Sequence, residues 1–241
     1  MNSQPSISVQ NNSSPNLPII STLLLLDSFH FVWARLLLPY ISPRISALYV
    51  MAVATLIVGV YAFAKGQINF GVLRKHLGFF VLIGLLIAGS TNLSYIAIGY
   101  VDPGAATLLT QFSTPLSILI GVIWLKERFT RWQFVGAVLA TLGVCIVALQ
   151  PSDFFRIGSL LILCAVPLYT FHTALVKRNG DLDFVNFYFF RLLFTTAALF
   201  LFSAAQGAWV WPTPQAWPLL IATGAIDVAG TARCTTWRCV A

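Results

Sequence analysis

Long apolar runs alternate with short polar breaks through most of this chain. Eight runs come close to the roughly 20 apolar residues that a helix needs to cross the hydrocarbon core of a membrane. The pattern therefore predicts an all-α integral membrane protein, a polytopic bundle of about eight transmembrane helices. The predicted segments are Leu17–Leu38, Ser46–Ala64, Leu77–Ile98, Gly104–Leu125, Trp132–Leu149, Ile157–Val176, Phe184–Ala205 and Gln215–Gly230.

The stretch from Val101 to Pro151 predicts a transmembrane hairpin. A small-residue turn leads into an apolar helix interrupted by Pro115. The cationic break from Lys126 to Arg131 separates this helix from a second apolar helix. Two membrane-long helices joined by a tight basic loop are typical of a hairpin that crosses the bilayer twice.

Most basic residues fall on one side of the predicted membrane. The loops on the opposite side hold only Arg44 and Arg156. The larger set is Lys65, Arg74, Lys75, Lys126, Arg128, Arg131, Lys177 and Arg178, followed by Arg233 and Arg238 in the tail. Because cytoplasmic loops of membrane proteins are enriched in Lys and Arg, this distribution predicts a cytoplasmic N-terminus.

The composition agrees with a membrane protein. Of the 241 residues, 58% are hydrophobic and only 9% are charged, whereas soluble domains have about 25% charged residues. The net charge of +7 does not indicate a nucleic-acid partner, because the basic residues lie in short loops and form no soluble basic domain. Residues 1–16 are polar and contain no Lys or Arg, which predicts a disordered tail and argues against a cleavable signal peptide.

No enzyme or cofactor motif is visible in the sequence. The four cysteines have no metal-ligand spacing. There is no glycine-rich phosphate loop, no HExxH and no GxSxG. We therefore expect a protein that is not an enzyme and that binds neither a metal nor a cofactor.

Ionisable residues within membrane helices are costly, so each is a candidate for function. Asp27 and His30 lie three residues apart on one face of the first segment and could form a proton-coupling pair. The alternative is that the first segment inserts marginally and this face is wet or packed. Arg191 could hold an anionic group of a substrate, or it could form a structural pair or extend to the interface.

Polar positions and prolines point to a site near the middle of the membrane. Pro115 is expected to free the carbonyl of Gln111, and Pro167 interrupts the sixth segment close to Tyr169. One such helix in each half is typical of a transporter site, although proline kinks also occur without one. Asn92 is assigned first to helix packing and second to ligand contact. The expected substrate-binding set is Asn92, Thr107, Gln111, Thr114, Tyr169, His172 and Arg191.

Two short sequences are echoed later in the chain. His30–Arg35 is echoed by Phe171–Arg178, and Ile87–Thr91 by Val228–Thr231. If the sixth segment repeats the first, the repeating unit has five helices. An odd number of helices inserts the second copy upside down, which is a hallmark of secondary transporters.

The hairpin also carries a family resemblance. The matching residues are Thr114-Pro115, Leu125 to Thr130, Trp132-Gln133 and the small-residue helix from Gly136 to Val144. With them the chain resembles the EamA-like family of the drug/metabolite transporter superfamily over Leu17 to Gly230. The resemblance implies ten helices in two five-helix repeats. It also implies transport of a small organic metabolite, amino acid or drug-like compound, with export favoured, by alternating access at a midplane cavity.

The chain departs from this pattern near its end. On this resemblance, residues 17–151 are expected to form a complete first repeat and residues 155–230 an incomplete second repeat with three helices. Residues 231–241 are an atypical tail that does not look helical. We expect a truncated or frame-shifted product, which leaves the activity of this exact chain open.

Other functions remain open at this stage. A non-transporting subunit or inactive fragment is the main alternative, and a homodimer could complete the bundle. A sugar-phosphate or nucleotide-sugar exchanger ranks lower, because it would need more membrane-facing cations than Arg191 alone. A bacterial inner (plasma) membrane suits the family and the short loops.

Overall fold

The computed structural model describes residues 31–124, 126, 130–148, 153–179, 183–207 and 210–236, and within these ranges every regular element is a helix. Residues 31–37 are helical. They are followed by α1 (Pro43–Ala64), α2 (Phe70–Lys75), α3 (Leu77–Ala97), α4 (Pro103–Thr110), α5 (Ser113–Ile123), α6 (Arg131–Ala148), α7 (Asp153–Arg178), α8 (Phe184–Ala205) and α9 (Ala216–Thr236).

Within the described residues, five stretches are long and apolar enough to cross a membrane. They are Ile45–Ala64, Leu77–Ala97, Pro103–Ile123, Ile157–Arg178 and Val185–Ala205. They correspond to the second, third, fourth, sixth and seventh predicted segments. The helices α6 and α9 lie at the fifth and eighth, where the apolar stretches Arg131–Ile146 and Ala216–Ile226 are shorter. Most of the first predicted segment, including Asp27 and His30, lies outside the described residues.

Two predicted helix boundaries differ from the structure. The fourth predicted segment is divided, since α4 ends at Thr110 and α5 begins at Ser113. The eighth was predicted to end at Gly230, but α9 continues to Thr236, so the expectation of non-helical sequence from Thr231 is wrong. Residues 231–236 contain no Gly or Pro, and nothing in them interrupts the backbone hydrogen bonds of a helix.

Close helix packing holds the centre of the bundle together. The helix α3 packs against α7 and α8, α8 also packs against α1, and α9 packs on the other side of α1. A Cβ atom on Gly84 would lie 2.7 Å from Cβ of Phe194, and one on Gly224 would lie 2.9 Å from Cγ1 of Val53. Lipid is as apolar as the side chains, so helix association in a membrane depends on such close contact.

The helix α6 lies at the edge of the described bundle. Most of its side chains are exposed, among them Trp132 and Leu139. Gly136, Ala140 and Gly143 recur at the spacing of one helix face, which predicts contact with another helix, but no described atom lies within 4 Å of a Cβ built on either glycine. Within the described residues, that small-residue face has no helix against it.

The turn after α1 ties two distant parts of the chain together. Gly66 adopts a φ of +60°, and the N–H of Gln67 donates to the carbonyl of Ala62, which ends α1 in a Schellman motif. The turn delivers Asn69, whose N–H donates to Oδ1 of Asn186 at 2.7 Å. The Nδ2 atom of Asn186 donates to the carbonyl of Gln67 at 3.0 Å and to the carboxylate of Asp183 at 2.7 Å. The buried Asn186 side chain therefore fixes the start of α8 to the end of α1.

We expect Gly84→Ala to lower the free energy of unfolding by about 1–3 kcal/mol, because the new methyl group would overlap Phe194 and force α3 and α8 apart. The same change at Gly136 should not destabilise the protein, since that position is open. Unfolding in mixed micelles monitored by circular dichroism checks this. Equal stability of the two variants would contradict the packing argument.

We expect Asn186→Ala to cost about 1–3 kcal/mol, because it removes the side chain that accepts from the Asn69 N–H and donates to the Gln67 carbonyl. Asn179→Ala is the matched control, since that exposed side chain makes only a 3.3 Å bond to the carbonyl of Leu175 within its own helix. The same unfolding assay applies. A loss at Asn179 as large as at Asn186 would show that the turn network is not the cause.

Candidate functional site

A cavity of about 320 Å³ lies between α1, α3, the α4–α5 junction, α7 and α8. Hydroxyl, amide and guanidinium groups make up much of its wall, and such polar groups are costly between membrane-crossing helices. The lining residues are Phe31, Met51, Ile87, Ser90, Thr91, Ser94, Tyr95, Thr110, Gln111, Ser113, Ala165, Val166, Tyr169, Tyr188, Arg191, Leu192 and Thr195. Volumes of this size are typical of small-molecule sites.

The junction between α4 and α5 supplies the polar corner of the cavity. The N–H groups of Gln111 and Phe112 donate to carbonyls three residues earlier, those of Leu108 and Leu109. This tighter geometry accommodates Pro115, which has no N–H to offer. It also brings Thr110, Gln111 and Ser113 to the cavity wall.

The carbonyl of Gln111 is not free, contrary to the expectation from Pro115. It accepts a hydrogen bond from the N–H of Thr114 at 3.0 Å. Pro115 has no N–H to donate, so the preceding residue, Thr114, donates to the carbonyl three residues earlier instead. The main chain of Gln111 therefore does not serve as an unsatisfied acceptor for a substrate.

Arg191 brings a positive charge to the cavity. It lies seven residues into α8, and its guanidinium carbon sits 5.8 Å from the centre of the Tyr188 ring. That distance is within the range of a cation–π interaction. In the described part of the chain, Nε of Arg191 has no hydrogen-bond partner and no carboxylate lies within ion-pair distance of the guanidinium.

Three of the seven expected substrate-binding residues line the cavity, namely Gln111, Tyr169 and Arg191. His172 and Asn92 are buried but do not line the cavity. The rings of Tyr169 and His172 lie 5.7 Å apart. Neither ring nitrogen of His172 makes a hydrogen bond of standard geometry with a described residue, although the Tyr169 carbonyl is nearby.

The other two expected residues do not line the cavity. The hydroxyl of Thr107 donates to the carbonyl of Pro103 at 2.8 Å, so it is bonded within its own helix turn. Thr114 is exposed on the surface of α5. The shift in helical phase at Gln111 and Phe112 explains this, because a straight helix would have kept Thr107 and Thr114 on one face.

Several lining residues were not expected from the sequence. Tyr188, Arg191 and Thr195 recur at the spacing of one helix face. A search for that spacing around Arg191 would have found the other two. On α3, the lining residues Ser90, Thr91 and Ser94 belong to a polar run inside an otherwise apolar segment, which was a second available signal.

Polar contacts lie at both ends of the bundle. At one end, Arg35 donates to the carbonyl of Val101 at 3.1 Å and lies 3.5 Å from the carboxylate of Asp102. Arg35 therefore has protein acceptors in the turn that follows α3. At the other end, the Trp124 ring stacks on Phe171 at 5.2 Å, and the guanidinium of Arg178 lies over Trp124.

Within the described residues, no three His, Cys, Asp or Glu side chains form a group that could hold a metal ion. The described lining residues of the cavity offer hydroxyl groups, aromatic rings, one amide and one guanidinium.

The chain is similar to two curated Bacillus subtilis (strain 168) proteins. It is 26% identical over 123 residues to "Uncharacterized transporter YyaM", covering 51% of this chain and 40% of that protein. It is 25% identical over 93 residues to "Uncharacterized transporter YdfC", covering 36% of this chain and 30% of that protein. The matches thus span less than half the length of these relatives.

A solved structure described as "Crystal structure of protein" has the same fold. Its TM-score is 0.63 at 16% sequence identity, over 89% of this chain and 78% of the solved chain. The family model of the EamA-like transporter family matches residues 19–149, more than half of the sequence. With its apolar helices, this chain is an integral multi-pass membrane protein that belongs to the EamA-like transporter family.

Proposed function

We propose that this protein is a secondary transporter of small organic metabolites or drug-like compounds, that it works as an exporter, and that substrates pass through the cavity by alternating access. The observation that carries the proposal is a 320 Å³ cavity with a polar wall inside a bundle of membrane-crossing helices. A membrane protein gains nothing structurally from a polar cavity, so a cavity of this kind favours a passage or binding role. Members of the EamA family are membrane transporters and are generally not enzymes.

Matching contacts in two parts of the bundle support an internal inverted repeat and, with it, alternating access. The hydroxyls of Thr55 on α1 and Thr196 on α8 lie 2.8 Å apart, and the two residues are separated by 141 positions. Shifting α1, Pro43–Ala64, by 141 positions gives the bounds of α8, Phe184–Ala205. A two-fold axis between equivalent residues of two equivalent helices accounts for a threonine meeting its own counterpart.

Other features follow the same shift of 141. Gly66 and Gly207 both adopt a positive φ, of 60° and 59°, just after α1 and α8. The sequence echo between Ile87 and Val228 has this spacing as well.

The glycine contacts extend the pairing. Gly84 of α3 packs on Phe194 of α8, while Gly224 of α9 packs on Val53 of α1. Val53 and Phe194 are again 141 apart, and Gly224 is one residue from the counterpart of Gly84. We infer that residues 17–151 and 155–230 are inverted repeats, the second with three helices, and that relative motion of the two opens the cavity to each side in turn.

The two ends of the bundle supply contacts that such motion would break. On the orientation we propose, with the N-terminus in the cytoplasm of a bacterial cell, Arg35 and Asp102 close the outer end. Trp124, Phe171 and Arg178 close the inner end. The Lys and Arg distribution supports this orientation.

The proposed substrate contacts keep the residues expected from the sequence and add those on the cavity wall. Gln111, Tyr169 and Arg191 contact the substrate directly, while His172 and Asn92 support them. Thr107 and Thr114 stay as predictions for a state in which the α4–α5 junction is rearranged. Proton coupling through Asp27 and His30 also stays a prediction, as does assembly into a homodimer.

We expect Ser90→Cys to react with a small water-borne maleimide and Ser203→Cys not to, in a chain whose native cysteines are replaced by alanine. Both serines are almost fully buried, but only Ser90 lines the cavity. Maleimides react with the thiolate, which forms only where water reaches. Mass spectrometry after timed labelling measures the difference. Labelling of Ser90→Cys as slow as that of Ser203→Cys would mean that the cavity is closed to water in every state.

We expect Ser94→Trp to abolish transport of any substrate that proteoliposomes containing the purified chain accumulate from a metabolite panel. The indole ring would fill the cavity that Ser94 lines. Leu139→Trp, on the exposed surface of α6, adds the same ring facing lipid and should leave transport within about twofold. Full activity of Ser94→Trp would exclude this cavity as the route, and a chain that moves nothing would favour a non-transporting fragment or subunit.

A further inference from the structure

The cavity carries a single fixed charge among its described lining residues, and that charge is positive. Arg191 is the lining residue with an ionised side chain, and the other polar lining groups are hydroxyls and the Gln111 amide. A cation in a membrane interior is costly unless something pairs with it. The wall therefore favours an occupant that brings a negative charge.

No described protein group fills that role for Arg191. The guanidinium lies 5.8 Å from the centre of the Tyr188 ring, which offers an aromatic face and no carboxylate. The ion pair that the described residues do form, between Arg35 and Asp102, lies at the end of the bundle. Contact with Tyr188 orients the planar guanidinium, and a planar fork matches the two oxygens of a carboxylate.

The rest of the wall indicates what the anion is attached to. Tyr95, Tyr169 and Phe31 contribute aromatic surface, which packs well against a flat apolar body. The hydroxyls of Thr195 and Thr110 already donate to carbonyls of their own helices, so toward a ligand each offers a lone pair rather than a hydrogen. Such acceptors suit a ring N–H or a hydroxyl of the occupant.

We propose, as a deepening of the proposed transport function, that the cavity selects organic monocarboxylates with a flat aromatic body, and that Arg191 binds the carboxylate. A phosphate ester is disfavoured because its second negative charge would meet no second cation among the described lining residues. A free α-amino acid is disfavoured because its ammonium group would meet no carboxylate there. Tyr188 acts as a positioning residue for the guanidinium.

The test compares three compounds that share an indole ring and differ in charge: an anion, a neutral amide and a cation. The purified full chain in detergent is loaded with tritiated indole-3-acetate in a scintillation proximity assay. It is then competed with unlabelled indole-3-acetate, its neutral amide and the cation tryptamine. We expect the acid to compete at least about tenfold better than the amide, because the amide cannot form the charge-assisted bond to Arg191. Tryptamine should compete least. Equal competition by the acid and the amide would overturn the proposal, as would no binding of the acid.

Variants test whether Arg191 causes the preference for the acid over the amide. Arg191→Gln should weaken the acid to the level of the amide, and Arg191→Lys should restore part of the difference, because an ammonium keeps the charge and loses the fork. Arg74→Gln, which removes a cation from the exposed surface of α2 outside the cavity, should bind like the parent chain. Tyr188→Leu should lower acid affinity without changing amide affinity. Unchanged acid binding by Arg191→Gln overturns the proposal, and amide binding retained by Arg191→Gln shows that its loss of acid binding is not due to misfolding.

Two further measurements distinguish failure of this proposal from failure of the proposed transport function. Dodecanoate is included because a fatty acid from the bilayer carries the same carboxylate. Stronger competition by dodecanoate than by indole-3-acetate would contradict the preference for an aromatic body. Uptake into proteoliposomes is measured with the same compounds. If the acid binds through Arg191 but is not transported, the transport proposal fails while this assignment stands. If tryptamine is transported and the acid is not, the transport proposal stands and this assignment fails.

Discussion

A polar group in the hydrocarbon core needs a protein partner, and this requirement decides where the chain keeps its polar side chains. Most threonines of the crossing helices satisfy it locally, by donating to the carbonyl four residues earlier. Such bonds are made by Thr55, Thr107, Thr141, Thr170, Thr173, Thr195 and Thr223. Arg35 satisfies it with the end of α3. Arg191, which lines the cavity, has no such partner among the described residues.

The cavity exists because two backbone features act together. Glycines let α3 approach α8 and α9 approach α1 until backbone and side-chain atoms touch, which makes the centre rigid. The α4–α5 junction breaks helical phase at Gln111 and Phe112, so the helix behind the cavity cannot fill it with a regular row of side chains. A rigid core beside an interrupted helix leaves a space with fixed walls.

Family membership indicates transport in general, whereas the cavity wall bears on the chemistry of the substrate. Residues 19–149 match the EamA-like transporter family, and the curated relatives are transporters without a stated substrate. The solved structure with a TM-score of 0.63 extends the likeness in fold to most of the chain. The chemistry of a substrate has to come from the wall itself, where one guanidinium, several hydroxyls and three tyrosines meet.

The sequence by itself determined the helical class, the five membrane-length segments and the family, because apolar runs of membrane length and the hairpin from Val101 to Pro151 are local properties. It also singled out Gln111, Tyr169 and Arg191. Only the tertiary structure decided that Thr107 and Thr114 leave the wall, that Arg35 binds α3 and that α9 runs to Thr236. The physical reason is that helical phase, carbonyl partners and inter-helix distances depend on residues far away in sequence. A single phase shift at Gln111 and Phe112 is enough to move a whole face of side chains away from the cavity.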